Sequence, residues 1–325
     1  MKLHPYTAKA EDGGVRLDRW FLRKYPALTF GRLSKLMRTG QIRLNGKRVK
    51  GGERVGVGDE IRIPPGLQRL PERPAPSAKS FSAKDEALIK GMVIHTDPHL
   101  IALNKPPGLA VQGGSGVKTS LDALLPLLKK AGDAETPRLV HRLDKDTSGV
   151  LIVARTGAAA HFLTKVFHER SSVKIYWAVV RGVPKIERGK IDLALAKGYA
   201  GSREKSLVDE EGKRAVTFYR VVERAGREAA WVALKPVTGR THQLRAHMAH
   251  IGHPILGDGK YGGKGAFIGG LNEKLHLHAR AIRLPAPGGG HVTLQAEMPA
   301  HMTETFKALG LNANEHPNPF EGMDG

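Results

Sequence analysis

Apolar residues change their period several times along this chain. Leu17, Trp20, Phe21 and Tyr25 recur at three- and four-residue steps, one face of a helix. A second short helix is expected over residues 31–38, with Leu33, Leu36 and Met37 inward. Residues 41–44 (QIRL) then alternate as a strand does, and Asn45-Gly46 is a tight-turn dipeptide. Residues 47–49 supply a return strand, and 60–63 (EIRI) alternate again. Farther on, Val93-Ile94 and residues 100–103 read as strands about an Asp97-Pro98 turn. Residues 121–130 predict a helix interrupted near Pro126, and residues 158–168 an amphipathic helix with Phe162, Leu163, Val166 and Phe167 inward. Strands are predicted at 176–181, 215–222 and 229–234, a helix at 241–251, short strands at 279–283 and 291–295, and a terminal helix. The strongest signal is Val150 to Ala154, wholly apolar with β-branched residues, the mark of a buried strand.

This pattern divides the chain. Residues 1–65 form a small unit of helices followed by strands. Residues 66–86 are linker, since the stretch 64–84 carries five prolines among scattered Ser, Lys and Arg. Residues 87–311 form the large domain, and residues 312–325 a polar, Pro-containing tail expected to be loose. Clustered strands with few helices between them predict an α+β fold on a central, largely antiparallel mixed sheet.

Charge sharpens the picture. The 325 residues carry 52 Lys or Arg against 31 Asp or Glu, a net +21. An excess of that size points to a polyanionic partner. No long apolar run exists to span a bilayer, which favours nucleic acid over membrane. Residues 1–70 hold 16 Lys or Arg against 6 Asp or Glu, so about half of the excess sits in a fifth of the length. Arg16, Arg19, Arg23, Lys24, Arg32, Lys35 and Arg38 lie on its helices and loops, where phosphate binding is favoured over a merely solvated face. The chain has no cysteine, which removes disulfides, thiolate nucleophiles and Cys-ligated zinc. The N-terminus lacks an apolar signal core, so the cytoplasm is expected.

The candidate chemistry centres on residues 138–156, RLVHRLDKDTSGVLIVART. Asp144 sits on turn chemistry just before the buried strand, among His141, Arg142 and Lys145. Nearby positive charge favours the ionised carboxylate, which could be a nucleophile or base, or the acid of a structural ion pair. Three further loops beside strands concentrate polar residues: 104–108 (NKPPG), 174–176 (KIY) and 238–245 (TGRTHQLR). In the last, Thr238-Gly239 is expected to open a helix, with Arg240, His242 and Arg245 in its first two turns. Taken alone, Arg245 reads as a helix-surface arginine and Tyr176 as a core residue. His242, His247, His250 and His253 invite a metal, but no H-E-x-x-H pattern accompanies them, and packing or RNA-facing roles are favoured. Gly113, Gly114 and Gly116 do not make a P-loop.

Together these motifs resemble the RluA-type pseudouridine synthases over residues 90–300 or so. HRLDKDTSG at 141–149 resembles that family's signature around its catalytic aspartate, with Val150 where Leu is more usual. NKPPG at 104–108 and TGRTHQLR at 238–245 resemble its first and third motifs, and Tyr176 stands at the position of its active-site tyrosine. GHPILGD at 252–258 and Tyr261-Gly262 fit the segment that follows. The N-terminal unit resembles an S4 RNA-binding domain through VRLDR (15–19), RLSKL (32–36), GQIRLNG (40–46) and VGD (57–59). An S4 domain joined by a linker is similar to the branch acting on large-subunit ribosomal RNA.

The resemblance implies an isomerase that breaks the N1–C1′ bond of a uridine in RNA, rotates the base and rejoins it through C5. The reaction needs no cofactor and no metal. It implies Asp144, Tyr176 and Arg245 as the catalytic set. Asp144 would act at the ribose, as nucleophile or by helping the base leave. Arg245 would hold it through a charge-assisted, bidentate pair. Tyr176 would offer a flat face and a hydroxyl for proton transfer. Arg142 would fill the place of the extruded base or grip the adjacent phosphate. His141 would support the loop at the substrate, and Lys105 would serve strand-end packing or phosphate contact. Arg240, with Arg19, Arg32, Lys35 and Arg38 upstream, would bind RNA. Asp146 and Asp258 would cap turns. The expected partner is ribosomal RNA of the pre-ribosomal large subunit, with the protein monomeric and off the membrane. The alternatives are a non-catalytic RNA-binding or ribosome-assembly factor, and a synthase acting on tRNA.

Overall fold

The computed structural model describes residues 5–25, 27–67, 81–113, 119–200 and 203–323. Most of the proline-rich stretch, residues 68–80, lies outside them, as do Gly114 and Gly116. The chain divides into two compact units, Met1–Ser80 and Phe81–Gly325.

The first unit has strand β1 (Tyr6–Thr7), helices α1 (Leu17–Lys24) and α2 (Phe30–Arg38), and strands β2 (Arg43–Leu44), β3 (Lys47–Arg48) and β4 (Glu60–Arg62). The strands pair in the order β1-β4-β2-β3. The helical periodicity buries Leu17, Trp20, Phe21, Leu33 and Met37 against Ile42 and Ile61. Thr29 caps α2, its Oγ1 accepting from the Arg32 N–H at 3.3 Å. Asn45 and Gly46 both take positive φ, 49° and 75°, as a two-residue hairpin turn of this hand demands. Asp12 is a buried acid on which Trp20 Nε1 (2.7 Å) and the Tyr6 hydroxyl (2.9 Å) converge. Arg19, Arg32, Lys35 and Arg38 are exposed; none forms an ion pair among the described residues, although the Arg19 charge reaches the neighbouring Asp18.

The second unit begins with α3 (Ala83–Gly91), β5 (Val93–Thr96), β6 (Leu100–Lys105), α4 (Leu121–Leu124), β7 (Arg138–Leu139), β8 (Ser148–Ala154) and α5 (Gly157–His168). It continues with β9 (Val173–Arg181), β10 (Arg188–Ala200), β11 (Arg203–Val208), β12 (Lys213–Ala225), β13 (Ala229–Pro236), α6 (Gln243–His250) and α7 (Gly259–Gly262). Strands β14 (Leu277–Pro285) and β15 (His291–Gln295) and helix α8 (Ala300–Leu309) complete it. Among the described residues one eleven-stranded sheet runs β11-β10-β12-β13-β9-β14-β8-β6-β5, with β15 on β14 and β7 on β8. Every pairing is antiparallel except β14 with β8, so the fold is α+β on a mixed sheet.

The apolar run 150–154 is explained by two cores. Leu151 and Val153 pack with Ile89 and Leu124 on one face, and Val150 and Ile152 with Leu163 and Val166 on the other. A strand covered on both sides cannot alternate. At its head Gly149 takes φ +110°, and a Cβ there would stand 2.3 Å from the Ala279 carbonyl oxygen on β14. Only glycine lets the two backbones approach so closely.

Several expectations fail for identifiable reasons. Helix α3 starts at Ala83, inside the stretch assigned to linker, because Ser82 and Asp85 form a reciprocal capping box. Helix α6 starts at Gln243 rather than Thr241; His242 before it has φ 50°, outside helical space, so Arg240 and His242 lie on the loop. The tail is not loose: Leu311 and Met323 are buried against a core containing Trp231 and Phe306. The long β10–β11 hairpin has no counterpart among the expected elements.

Candidate active site

The loop before β8 and the middle of β9 meet across β14, since Ala279 pairs with Gly149 on one side and with Tyr176 on the other. That register brings Asp144 and Tyr176, 32 positions apart in the chain, to one cavity of about 320 Å³. His141, Arg142, Thr147, Lys174, Arg240, His242 and Arg245 share its wall. A second cavity, about 550 Å³, opens on the other side of Asp144, His242 and Arg245, with Lys145, Asp146, Asp258 and Lys260.

Asp144 is half-buried, and no side chain or backbone donor among the described residues binds its carboxylate. Arg245 does not pair with it. Its Nε and Nη2 instead donate to the two carboxylate oxygens of Asp258, each at 2.7 Å. Asp258 also caps α7, accepting from the Tyr261 N–H at 3.3 Å. Asp258 is fully buried, so its charge must be matched on the spot, and Arg245 is the cation that reaches it. The expected bidentate pair thus exists with a different acid. Burial opposes the charge on Arg245, but Asp258, with Asp144 adding to it, holds the guanidinium above its ordinary pKa. Arg245 therefore presents a permanent positive charge near Asp144 while Asp258 fixes its plane.

Burial and the Asp144 charge push the Tyr176 hydroxyl well above its ordinary pKa. It stays protonated near neutrality, an apolar face with a hydrogen-bond donor at its tip. His141 lends its Nε2 to the Ile152 N–H at 2.8 Å and stacks on Phe167 at 4.2 Å. Burial, with the Lys174 charge, lowers its pKa to about 3, so it is a neutral brace rather than a phosphate ligand. Arg142 is exposed, and its one hydrogen bond among the described residues runs from Nη1 to Gln112 Oε1 at 3.5 Å. Arg240 is half-buried, its Nε on the Arg214 carbonyl at 3.3 Å.

Lys105 does not contact phosphate. It is fully buried, and its ammonium donates to the carbonyls of Pro106 (2.8 Å), Leu109 (3.0 Å) and Lys145 (2.9 Å). The Gly108 N–H reaches the same Lys145 carbonyl at 2.9 Å. The loop at 104–108 therefore clamps the loop that carries Asp144. Burial lowers the Lys105 pKa to about 8, against the pull of Asp146 and Asp144.

Two features escaped the sequence. His242 holds its left-handed conformation in the walls of both cavities, its Nδ1 3.0 Å from the Tyr261 hydroxyl, which also accepts from the Ser206 N–H. Burial, opposed by Asp144, keeps His242 below its ordinary pKa. Thr147 has a buried hydroxyl with no partner among the described residues, three positions after Asp144. Of the other histidines in that cluster, His247 bonds Thr217 and His253 the Arg181 carbonyl, while His250 is exposed. No group of three or more His, Asp or Glu among the described residues could hold a metal.

Residues 99–250 match the family model for RNA pseudouridylate synthase, and residues 15–61 that for the S4 domain. The chain is 37% identical over 290 residues to ribosomal large subunit pseudouridine synthase C of Escherichia coli strain K12, covering 87% of this chain and 89% of that protein. The chain belongs to the RNA pseudouridylate synthase family. This synthase is also 36% identical over 327 residues to the mitochondrial RNA pseudouridine synthase 4 of Arabidopsis thaliana, covering 87% of this chain and 69% of that one. Among solved structures, human RNA pseudouridylate synthase domain containing 4 superposes with a TM-score of 0.60 at 30% identity, covering 70% of this chain and 98% of that one.

Proposed function

We propose that this synthase converts one or more uridines of large-subunit ribosomal RNA to pseudouridine, with the Asp144 carboxylate acting at the ribose. The observation that carries this reading is a carboxylate with no hydrogen-bond donor among the described residues, in the wall of a cavity that also presents Tyr176 and Arg245. An unengaged carboxylate spends none of its lone pairs on protein donors. Arg245 supplies a fixed positive charge beside it, and Asp258 absorbs the guanidinium geometry. Tyr176 gives the uracil a flat contact and a hydroxyl donor. The N1–C1′ bond breaks, the base turns, C5 bonds to C1′, and the proton lost from C5 is balanced by one gained at N1. The target must leave its stack to enter, and Arg142, exposed at the rim, is placed to fill the gap or hold the phosphate.

The S4 unit supports an RNA partner, with Arg32, Lys35 and Arg38 exposed and outside any ion pair among the described residues, and the pre-ribosomal large subunit is the form we favour. We take the working unit to be a monomer acting in the cytoplasm. Mapping pseudouridines in total RNA tests the whole reading. Deleting the gene should remove specific sites from large-subunit ribosomal RNA. Wild type should restore them, and Asp144→Asn should not. Unchanged ribosomal sites on deletion, or restoration by Asp144→Asn, would overturn it.

A further inference from the structure

Beyond the catalytic cavity, across Thr238 and Arg240, lies another of about 330 Å³. Thr238 and Arg240 line both. Its floor is Val216 and Phe218, alternate residues on one face of β12. Its rim is Arg170, Lys190, Arg214 and Arg240. Phe218 is half-buried, yet it belongs to none of the apolar cores of the domain. Its cross-strand neighbours are lysines on both sides, Lys190 on β10 and Lys235 on β13. The Lys235 ammonium lies 5.3 Å from the ring centroid. An aromatic side chain placed there gains little from packing.

The charge is equally one-sided. Lys190 and Arg214 share a single acid, Asp192, at 3.0 and 2.6 Å. Arg170 has no hydrogen bond or ion pair among the described residues. It stands just past the end of α5 with φ 61°, the position where helices commonly place glycine. The Ser171 N–H closes on the Val166 carbonyl at 3.1 Å, the helix termination that holds Arg170 in this conformation at the cavity rim. Lys174, in the wall of the catalytic cavity, feels the Arg170 charge. Two cations that repel each other, neither in an ion pair among the described residues, make a place for an anion.

We propose that this cavity is a subsite for a nucleotide adjacent to the target uridine, its base stacked on Phe218 and its phosphate held by Arg170 and Arg240. The proposal rests on the synthase reading, because it needs a uridine at Asp144 and a strand continuing across Thr238. Stacking on a ring framed by cations tolerates any base, so the subsite supplies grip rather than sequence choice.

The test measures binding of the full-length protein to large-subunit ribosomal RNA from a strain lacking the gene, at several salt concentrations. Phe218→Leu keeps apolar volume and removes the π face; it should raise Kd about tenfold with the salt slope unchanged. Arg170→Gln should raise Kd and lower the slope of log K against log salt by about 0.7, the value for one single-strand phosphate. Thermal melts of both variants should match wild type. If both bind within twofold of wild type with its slope, the subsite is wrong. If Arg170→Gln leaves the slope unaltered, the phosphate assignment is wrong. Pseudouridine formation by wild type in the same RNA is read separately. Its absence would overturn the synthase reading, whereas binding differences judge the subsite.

Discussion

The Arg245–Asp258 pair shows what a sequence leaves open at the level of single residues. TGRTHQLR makes Arg245 conspicuous, but the pattern does not say which acid it meets. Asp144 and Asp258 are both candidates, and only the path from α6 to α7 turns the guanidinium toward the second. Lys105 is a similar case. Its place at a strand end left packing and phosphate contact both open, and only the meeting of two loops supplies three carbonyls for its ammonium. Asp144, Tyr176 and Arg245 are brought to one cavity, while Lys105 and His141 serve it from within the protein. Breaking a buried pair costs more than the pair contributes, because the surviving charge is stranded. Asp258→Asn should therefore lower unfolding free energy by about 3 kcal/mol in urea titrations. It should also slow single-turnover pseudouridine formation, because Arg245 loses the partner that fixes its plane. Wild-type turnover in a stable variant would show that Arg245 needs no such support.

At the level of elements, strands with strong apolar runs were readable and the weakly patterned ones were not. Val150–Ala154 announces β8 because both its faces meet hydrophobic cores. The hairpin of β10 and β11 stayed hidden in its second half: Ile191, Leu193 and Leu195 alternate as a strand does, but residues 196–206 are mostly small or charged, and the ladder is held by pairing with β12. The start of α6 stayed hidden because a left-handed histidine has no sequence signature. One element-level consequence concerns acid. His278 on β14 joins the Ser148 hydroxyl at 2.9 Å to the Ala296 carbonyl at 3.0 Å, tying β14 to the head of β8. Burial lowers its pKa to about 4, from an unfolded value of about 6.5. The unfolded chain then binds more protons between those values, so stability falls as pH drops from about 6.5 toward 4. Urea midpoints measured across that range should fall, and less steeply in His278→Gln. An equal slope in the variant would assign the acid sensitivity elsewhere, His247 and His276 being the other buried rings held near pKa 4.

For the whole molecule, composition spoke before any motif. A net +21 announced a polyanionic partner, and the structure leaves Arg32, Lys35 and Arg38 of the first unit exposed and without ion pairs among the described residues. Reversing Arg32, Lys35 and Arg38 to glutamate should weaken RNA binding. It should also flatten the salt dependence by about 0.7 to 0.9 for each phosphate no longer neutralised, read from Kd at several salt concentrations. An unaltered slope would mean that this helix does not face the RNA. The two-unit plan was legible because proline-rich composition separates two patterned regions, whereas the docking of residues 311–323 on the large unit was not, since only a few apolar residues in a polar segment carry it.

The close approach of Gly149 and Ala279 has a further meaning for anyone rebuilding this chemistry. Asp144 is carried by a loop whose far end is set by two backbones touching, and whose near end is set by an ammonium on a third segment. Local bonds shape the segments, Lys105 to the Pro106 and Leu109 carbonyls and the Thr147 N–H to the Asp144 carbonyl, but their mutual placement comes from the contacts between them. A designer moving the aspartate to a new scaffold would have to transplant residues 104–108, 144–149 and 277–279 as one block, with their mutual spacing intact. The nine-residue signature alone would carry the carboxylate and leave its aim behind.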